Sequence, residues 1–285
     1  MPELTYGLTG ASGFVGSRIA NELRKDAAVR ELGRHSQYRF ALGKPVDRGV
    51  LQGVDVLVHC AWDFTPKSWA EVKRVDVEGS LDLFDAAREA RVGRIVCISS
   101  MSAFEGTKSN YGRAKLAIER QASKHHPEVV IVRPGLVYDR QSGGIVGAMR
   151  SVMGKLPLVP LIGGGQKFYM CHAEDLAKAV RELSTGPVPD HPLMAAEPVP
   201  RTFKQILLTM AAADGRKPAF LPVPHQVAYA GLRAAEVLRV PLKLRSDSII
   251  GLINNDPDPQ FGGLQTRFRE FNREAVRGGD SSPGA

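Results

Sequence analysis

Two side chains that could move protons together stand four residues apart near the middle of the chain. Tyr111 and Lys115 belong to the run Tyr-Gly-Arg-Ala-Lys, and this spacing places a phenol and an ammonium on one face of a helix, about one turn apart. A nearby cation favours the ionised form of a phenol, so Tyr111 is a candidate proton donor or acceptor near neutral pH. The same spacing also occurs on ordinary helix surfaces, so the pair alone does not define a catalytic site.

A glycine-rich turn early in the chain has the composition of a phosphate-binding loop. The run Thr-Gly-Ala-Ser-Gly-Phe-Val-Gly occupies residues 9–16, between a short apolar stretch and a helical pattern. Gly10 permits the tight turn, Gly13 lets backbone N–H groups approach a pyrophosphate, and Gly16 lets the helix pack closely on the strand. The helix N-terminus then stabilises the anion, so we predict a dinucleotide site. The other predicted cofactor-binding residues of this turn are Ser12, Phe14 and Val15.

The end of the second predicted strand, within residues 28–35, decides which dinucleotide is expected. An acidic side chain there would bind the adenosine ribose, whereas an arginine would accommodate the 2′-phosphate of NADP(H). Arg34 follows Gly33 at this point, and residues 18–48 hold eight basic and four acidic side chains. We therefore predict NADP(H) in preference to NAD(H), with Arg34 among the cofactor-binding residues. The alternative is that Arg34 is an exposed loop charge and that Glu31 contacts the ribose.

Strands and helices that would hold these side chains alternate over the first two thirds of the chain. Apolar runs rich in Val and Ile predict strands covered on both faces, and the longer stretches between them carry apolar residues at helical spacing. This alternation predicts βαβ units and a parallel sheet. The predicted strands are residues 4–9, 54–60, 94–99 and 129–133, and the predicted helices are residues 14–25, 75–90 and 111–124.

The last third of the chain has a different character. After Arg133 the pattern loosens into glycine and proline segments, and residues 203–213 and 227–238 then predict two helices separated by prolines. Gly, Ser and Pro fill the final residues, which is typical of a flexible tail. Some segments after residue 135 are expected to join a lid over the substrate. The expected units are a nucleotide-binding domain at residues 1–200, a C-terminal substrate-binding lid at residues 201–270 and a flexible tail at residues 271–285.

Composition excludes several other classes of protein. The 285 residues are 43% hydrophobic and 24% charged, which excludes a disordered or fibrous chain. The longest stretch without a charged side chain has 15 residues and holds three prolines, so no transmembrane helix is predicted, and no signal peptide is visible. Cys60, Cys97 and Cys171 lack metal-ligand spacing, so we predict no metal site and a reducing, cytoplasmic location.

The net charge of +8 raises the question of an acidic partner. The surplus is spread along the chain, with +4 in residues 1–200 and +4 in residues 201–285, and there is no run of five like charges. A solvated basic surface accounts for such a pattern. We therefore predict a small-molecule substrate, no nucleic-acid partner and no membrane insertion.

Further motifs accompany the glycine turn and the pair formed by Tyr111 and Lys115. They are Val-His-Cys-Ala at 58–61, Ile-Ser-Ser at 98–100, Arg-Pro-Gly-Leu-Val-Tyr at 133–138 and His-Ala-Glu-Asp-Leu-Ala at 172–177. With these motifs the chain resembles the short-chain dehydrogenase/reductase superfamily, and specifically its extended, NAD-dependent epimerase/dehydratase branch. The resemblance covers about residues 4–240. It implies an α/β fold, namely a Rossmann-type doubly wound parallel sheet with a small, mainly helical C-terminal lid.

The resemblance also implies a catalytic triad. In this family a Ser or Thr after the fifth strand hydrogen-bonds the reacting oxygen, Tyr passes the proton, and Lys binds the nicotinamide ribose. These roles fall on Ser100, Tyr111 and Lys115, and the last two would also contact the cofactor. Further cofactor contacts are implied for Cys60, Ala61 and Pro134.

Two alignments place the catalytic serine differently. Counting through the strand at residues 94–98 selects Ser100, whereas counting back from Gly106 selects Met101, which neither donates nor accepts a useful hydrogen bond. A one-residue insertion resolves this conflict in favour of Ser100. Ser102 is the fallback.

Three features depart from the pattern of the family. Ser100 and Tyr111 are 11 residues apart, where the branch usually has a much longer connection, so a covering loop is absent and an open site is expected. Asp76 stands where the branch usually has Asn, which puts the supporting role of that side chain in doubt. Asp139 replaces the Gly that usually follows Val-Tyr.

Two functions of different class follow from these residues. One is an NAD(P)-dependent oxidoreductase or epimerase that uses the triad for hydride transfer with a small carbonyl or hydroxyl compound. The other is a non-catalytic NAD(P)H-binding sensor or assembly protein, which the short connection and Asp76 favour. The complete triad favours the enzyme, because a pure binder needs none of it. Dimerisation is common in the family, so a homodimer is expected.

Overall fold

A computed structural model places a parallel sheet at the centre of the protein and describes residues 4–139, 144–155, 158–238, 240, 245–262, 264 and 268–271. Most predicted strands begin and end within two residues of the observed ones. The strands are β1 (Thr5–Thr9), β2 (Ala28–Gly33), β3 (Tyr38–Arg39), β4 (Val56–His59), β5 (Arg94–Ile98), β6 (Val129–Pro134), β7 (Leu136–Tyr138), β8 (Leu158–Leu161), β9 (Lys167–Phe168), β10 (Met170–His172), β11 (Leu193–Ala195), β12 (Arg201–Thr202) and β13 (Ala219–Pro222).

Seven of these strands form the central sheet, in the order β3-β2-β1-β4-β5-β6-β11, and every pair is parallel. The chain first builds outward from β1 through β2 to β3 and then returns to β4 on the other side of β1. A crevice therefore opens at the carboxyl ends of β1 and β4, which is where doubly wound sheets bind ligands. The predicted Rossmann-type α/β fold is confirmed.

Helices cover both faces of this sheet. Three of them follow one another without a break: α2 (Trp69–Val72), a π-helical segment (Lys73–Glu78) and α3 (Gly79–Glu89). The predicted helix at 75–90 is therefore the end of a longer one. The helices are α1 (Phe14–Leu23), α2 (Trp69–Val72), the π-helical segment (Lys73–Glu78), α3 (Gly79–Glu89), α4 (Asn110–His125), α5 (Gly144–Lys155), α6 (Ala173–Leu183), α7 (Phe203–Ala213), α8 (His225–Val237) and α9 (Ser246–Ile253).

The strands of the sheet bury alternate side chains in two separate cores. Val58 and Val96 point into a core shared with α1 and α6, whereas Leu57 and Ile95 point into one shared with α3 and α4. Side chains alternate across a strand, so a strand covered on both faces must be apolar at every position. The continuous apolar runs of the sequence thus reflect helices on both faces.

A third core lies outside the sheet and combines residues from both sides of position 200. Tyr138 and Val159 pack there with Phe203 and Met210, each of them buried. Two small strand pairs, β13 with β8 and β12 with β9, join the same parts of the chain. Of the predicted tail, Phe271 is described and lies buried in this core; residues 272–285 are outside the described part.

Candidate functional site

The glycine turn between β1 and α1 is shaped by close backbone contacts. Gly10 has a φ of +70°, and a Cβ there would lie 2.9 Å from the backbone nitrogen of Ala61. A Cβ on Gly16 would lie 2.1 Å from the carbonyl oxygen of Gly10, so the helix can approach the strand only at a glycine. Gly13 stands at the helix N-terminus in extended conformation with no side-chain cap. The first N–H groups of α1 therefore stay available for an anion, and the loop fits a pyrophosphate.

The other predicted residues of the turn lie where the loop meets α1. Ser12 is exposed, and Phe14 and Val15 are half-buried in the first turn of the helix. The guanidinium of Arg18, one turn further on, stacks 4.4 Å from the centre of the Phe14 ring. Backbone N–H groups at these positions can serve a phosphate without any charged side chain.

A buried chain of hydrogen bonds ties the glycine turn to the loop after β4. The Thr9 Oγ1 atom accepts from the backbone N–H groups of the two residues after His59, at 3.1 and 3.2 Å, and lies 2.8 Å from His59 Nδ1. Its own proton is therefore directed to Nδ1, and Nε2–H donates to Ser80 Oγ at 2.9 Å. Burial, with a smaller effect of Lys115, lowers the pKa of His59 to about 3. His59 thus acts as a neutral connector between the two loops.

Exposed cations stand at the carboxyl end of β2. Arg34 follows the last residue of the strand, and Arg39 lies on the neighbouring β3. Both side chains are exposed, and neither makes a hydrogen bond or ion pair with another described residue. Glu31, by contrast, lies inside β2 and pairs with Arg24, so its carboxylate is already engaged. Arg34 is therefore exposed and without an ion-pair partner among the described residues, whereas Glu31 has one.

Helix α4, which carries Tyr111 and Lys115, has its first residue fixed from two directions. Ser109 is the N-cap, and its hydroxyl accepts from the N–H of Gly112 at 3.1 Å. The carboxylate of Asp247, on α9, accepts from the N–H groups of Asn110 and Tyr111 at 2.8 and 3.4 Å. An acidic group is favourable at the N-terminus of a helix. The lid helix α9 therefore helps to place the candidate catalytic tyrosine.

Lys115 is a buried cation at the heart of the site. Its ammonium donates to the carbonyl oxygen of Ile98, the last residue of β5, at 2.8 Å. The ammonium also lies 4.6 Å from the centre of the Trp62 ring and 5.9 Å from that of Tyr111. Trp62 and Tyr111 meet edge to face, with ring centres 4.9 Å apart. The ammonium is thus enclosed by a carbonyl and two aromatic rings. The carbonyl uses one of its three N–H donors, and two remain.

Residues 99–102 follow β5 and hold three serines, of which Ser100 and Ser102 are half-exposed and Ser99 is buried. The backbone N–H of Ser102 donates to Ser100 Oγ at 3.1 Å, so the Ser100 side chain curls over its own loop and is half-exposed. Met101 packs against the core shared with α1 and α6. The Ser99 hydroxyl donates to Glu119 inside the fold. Of the two aligned positions, Met101 has no hydroxyl, whereas Ser100 has one that is accessible.

Asp76 lies fully buried on the π-helical segment behind this constellation. One carboxylate oxygen accepts from the backbone N–H of Asp63 at 2.8 Å, and the other has no hydrogen-bond partner among the described residues. Burial raises the pKa of Asp76 to about 6, and the nearby Asp63 adds to the effect. Because Asp63 is the neighbour of Trp62, Asp76 anchors the loop that covers Lys115.

The remaining predicted cofactor residues lie at the same edge of the sheet. Cys60 and Ala61 follow β4 directly behind the glycine turn, and Pro134 ends β6, where its carbonyl oxygen accepts from Met101 N–H at 3.1 Å. Burial raises the pKa of the Cys60 thiol to about 12, so this cysteine is no thiolate nucleophile. The structure therefore brings the predicted residues of β1, β4, β5 and β6 to one crevice.

Asp139, which replaces a family glycine, forms an ion pair across the molecule. Arg18 donates to its carboxylate at 2.7 and 2.8 Å, and the Asp139 side chain is 10% exposed. This pair links the second turn of α1 to the segment after β7. The substitution therefore has a structural partner on the nucleotide-binding helix.

Two contributions to the site were not predicted from the sequence. They come from Trp62, whose ring lies over the Lys115 ammonium, and from Asp247, which binds the first turn of α4. Both act on residues at least 49 positions away, so neither has a local pattern. A tryptophan directly after the strand motif Val-His-Cys-Ala was the one available clue.

The part of the chain that the structure describes contains no group of three His, Cys, Asp or Glu side chains arranged to hold a metal ion. Within those same residues, no helix has both the length and the apolar character needed to cross a bilayer.

Comparison with known sequences identifies a family. A sequence model described as the NAD dependent epimerase/dehydratase family matches residues 7–191. The ceramide reductase of Caulobacter vibrioides is 28% identical over 235 residues, which cover 76% of this chain and 73% of that protein. The resemblance inferred from the motifs is thereby confirmed.

Solved structures share the fold at lower identity. The UDP-glucose 4-epimerase of Thermus thermophilus, solved in complex with NAD, is 22% identical with a TM-score of 0.63, covering 78% of this chain and 86% of that one. The UDP-glucose 4-epimerase of Thermotoga maritima, solved with UDP-glucose, is 17% identical with a TM-score of 0.66, covering 77% and 86%. At these identities the likeness is one of fold.

Proposed function

Because the chain belongs to the NAD dependent epimerase/dehydratase family, we propose that it is an NADP(H)-dependent oxidoreductase that reduces a carbonyl group, or oxidises the matching hydroxyl, on a small molecule. Membership of this family makes the chain an NAD(P)-dependent enzyme and disfavours the non-catalytic sensor. The observation that carries the proposal is the buried Lys115 ammonium, anchored on Ile98 and covered by Trp62, one helical turn from Tyr111.

Each residue of the triad has a distinct task in this proposal. When bound, the nicotinamide supplies hydride to the carbonyl carbon or accepts it in the reverse direction. The Ser100 hydroxyl donates a hydrogen bond to the substrate oxygen and polarises it. Tyr111 gives its phenolic proton to that oxygen during reduction and takes it back during oxidation. The Lys115 ammonium offers its two remaining donors to the ribose.

The preference for NADP(H) rests on the end of β2. An exposed Arg34 without an ion-pair partner among the described residues is suited to a 2′-phosphate, and Arg39 adds positive charge nearby. The fit of the glycine turn to a pyrophosphate supports a dinucleotide but does not distinguish NADP(H) from NAD(H).

A ketone carried on an apolar molecule is the substrate class that we propose. An open cavity of roughly 660 Å³ lies between the loop at 163–165 and the segment at 222–224, a volume in the usual range for ligand sites. Leu161, Val223 and two prolines line much of it, and no residue of the proposed triad does. The connection between the cavity and the triad is α9, which lies beside the loop at 163–165 and binds the first turn of α4 through Asp247. The relative named ceramide reductase points to the same class of substrate. The cytoplasmic location and the homodimer stay predictions from the sequence.

Replacing the phenol tests the reaction directly. Tyr111→Phe keeps the ring that packs on Trp62 but removes the proton, so we expect turnover of a ketone substrate to fall at least about a hundredfold. Binding of NADPH, followed by its fluorescence, should change less than about threefold. The matched control is Tyr229→Phe, which alters an exposed tyrosine on α8 and should leave both quantities unchanged.

Two results would contradict the proposal. One is a folded Tyr111→Phe protein that binds NADPH and retains its turnover. The other is a wild-type protein that binds NADPH but converts none of a panel of long-chain ketones, aldehydes, enones and nucleotide sugars, which is the behaviour of a sensor.

A further inference from the structure

Helix α8 presents its apolar face to solvent. Val227, Ala230, Ala234 and Leu238 recur at helical spacing, and all four are exposed, with Val227 at 62% and Leu238 at 74%. Val237 beside them is 70% exposed, and α8 contains no buried residue. A surface helix ordinarily turns its apolar stripe inward, so this orientation requires a partner that covers it.

The opposite side of α8 is already in contact with the rest of the protein. Ala228, Leu232 and Ala235 are half-buried on the side that faces α9. Glu236 fixes the helix by accepting from the N–H and the hydroxyl of Ser246, at 2.8 and 2.9 Å. The helix therefore cannot turn its exposed stripe inward without breaking these contacts.

The exposed apolar surface continues on both sides of α8. Leu221, at the end of β13, is 51% exposed, and Val240, after the helix, is 47% exposed. We call the large exposed side chains of this surface the α8 face. They are Leu221, Val227, Val237, Leu238 and Val240. This face borders the open cavity, because Pro224 both lines the cavity and precedes the first residue of α8.

The segment that carries the α8 face has a surplus of basic residues in its sequence. Residues 201–245 hold eight Lys and Arg against two Asp and Glu. Both acidic residues are engaged, Asp214 with Arg150 and Glu236 with Ser246 and Arg233. Lys204 and Lys217 are exposed and make no ion pair with a described residue. Of these two cations, Lys204 lines the same cavity as Pro224, so an exposed positive charge lies near the start of α8.

We propose that the α8 face docks on an anionic lipid surface, with α8 lying flat at the boundary between headgroups and acyl chains. An apolar helix face in a segment with a surplus of Lys and Arg is suited to an anionic lipid surface. A second copy of the chain is the less suitable occupant, because it would bring two strongly cationic segments together. At 13 residues the helix is too short to span a bilayer. The proposal does not depend on the reaction assigned above.

Vesicle binding of the full chain tests this docking. We expect the protein to co-sediment with vesicles of phosphatidylglycerol and phosphatidylcholine at least about tenfold more than with pure phosphatidylcholine, and less as salt rises. Val227→Asp should reduce binding to the anionic vesicles at least about fivefold. An acidic residue in the first turn of a helix is tolerated, so this variant is expected to fold. Leu238→Asn, a polar change that suits the C-terminal end of a helix, should also reduce this binding.

The control and the contrary results are equally specific. Val188→Asp makes the same change at an exposed valine outside the lid and should leave vesicle binding unchanged. The proposal is overturned if Val227→Asp binds the anionic vesicles like the wild type, or if the wild type ignores them. It is also overturned if light scattering shows a dimer that Val227→Asp converts to a monomer, since a second copy would then cover the face. None of these readouts requires turnover.

Discussion

Arg34 is the residue through which we propose that the protein binds the adenosine end of its cofactor. Arg34 is the first residue after β2, and its guanidinium is unpaired among the described residues. A carboxylate at this point would repel a 2′-phosphate, whereas a guanidinium can form charge-assisted hydrogen bonds with it. In this proposal the cofactor preference depends on one exposed residue, so a substitution there should change it without disturbing the fold.

Arg34→Ala should weaken the binding of NADPH and leave the binding of NADH largely unchanged. Loss of hydrogen bonds to a charged phosphate costs about 1.5–3 kcal/mol, so we expect the Kd for NADPH to rise roughly tenfold to a hundredfold. The Kd for NADH should change little, because NADH has no 2′-phosphate. Titration of each cofactor by fluorescence measures both. Arg30→Ala, at a residue that binds Val50 O and Gln52 O, is the control. Equal losses for the two cofactors would show that Arg34 does not read the phosphate.

Asp76 is a carboxylate whose burial should be visible in the pH dependence of stability. Its pKa of about 6 lies above the ordinary value of 3.8, so the folded protein binds a proton there that the unfolded chain releases. Stability from this group is complete below about pH 4 and is lost as the pH rises through 6. His59 acts in the opposite sense, because its pKa is lowered to about 3.

Asp76→Asn should therefore stabilise the protein at neutral and alkaline pH. The amide keeps an oxygen for the N–H of Asp63 but carries no charge, so we expect the free energy of unfolding at pH 8 to rise by roughly 1–3 kcal/mol. The gain should vanish near pH 4. Urea unfolding across this range measures the effect. Asp82→Asn, at an exposed position of α3, should produce no such profile. A pH-independent difference would rule out titration of Asp76 as the cause.

At the scale of elements, the start of α4 depends on a close approach that only glycine allows. A Cβ on Gly112 would lie 2.2 Å from Thr107 Oγ1 and 2.4 Å from the carbonyl oxygen of Ser102. The loop at 102–107 is thus pressed against the helix directly beside Tyr111. The short connection after Ser100 is compact because this contact replaces a longer loop.

Gly112→Ala is expected to destabilise the protein and to lower turnover. The added methyl group meets a backbone atom that cannot move alone, and such overpacking costs about 1–3 kcal/mol. The thermal unfolding temperature should fall, and kcat should fall as well because Tyr111 would move with the helix. Gly231→Ala is the matched control, because a Cβ there meets nothing within 4 Å. That change should stabilise α8 by about 0.5–1 kcal/mol. A Gly112→Ala protein as stable as the wild type would contradict the close approach.

The boundaries of α7 show how far local pattern reaches at this scale. The predicted helix at 203–213 matches α7, since Thr202 caps it and Gln205 completes the capping box. By contrast, β9 and β12 have two residues each and exist because Lys167 and Arg201 belong to segments that meet in space. No local pattern announces such strands. Helix α5 was not predicted either, because it lies in a glycine-rich stretch.

For the whole molecule, the parallel sheet and the dinucleotide-binding turn at its edge followed from the sequence. Gly10, Lys115 and the strand motifs each carry a strong local signature, and the fold brings them to one edge. What the sequence did not reveal are contacts between distant segments. Asp247 reaches α4 from the lid, and Arg18 reaches Asp139 across the molecule. Such pairs depend on packing, which a single sequence does not encode in any short pattern.

The enclosure of Lys115 by aromatic rings has an optical consequence. The chain has two tryptophans, and both face α4: Trp62 lies over the Lys115 ammonium, and Trp69 lies 4.1 Å from the Arg113 guanidinium. Indole emission is sensitive to a nearby charge and to any absorbing ring that enters the crevice. A protein in which Trp69 is replaced by Phe would emit from Trp62 alone. The candidate site thus carries its own fluorophore, and its occupancy can be followed by stopped flow without any label.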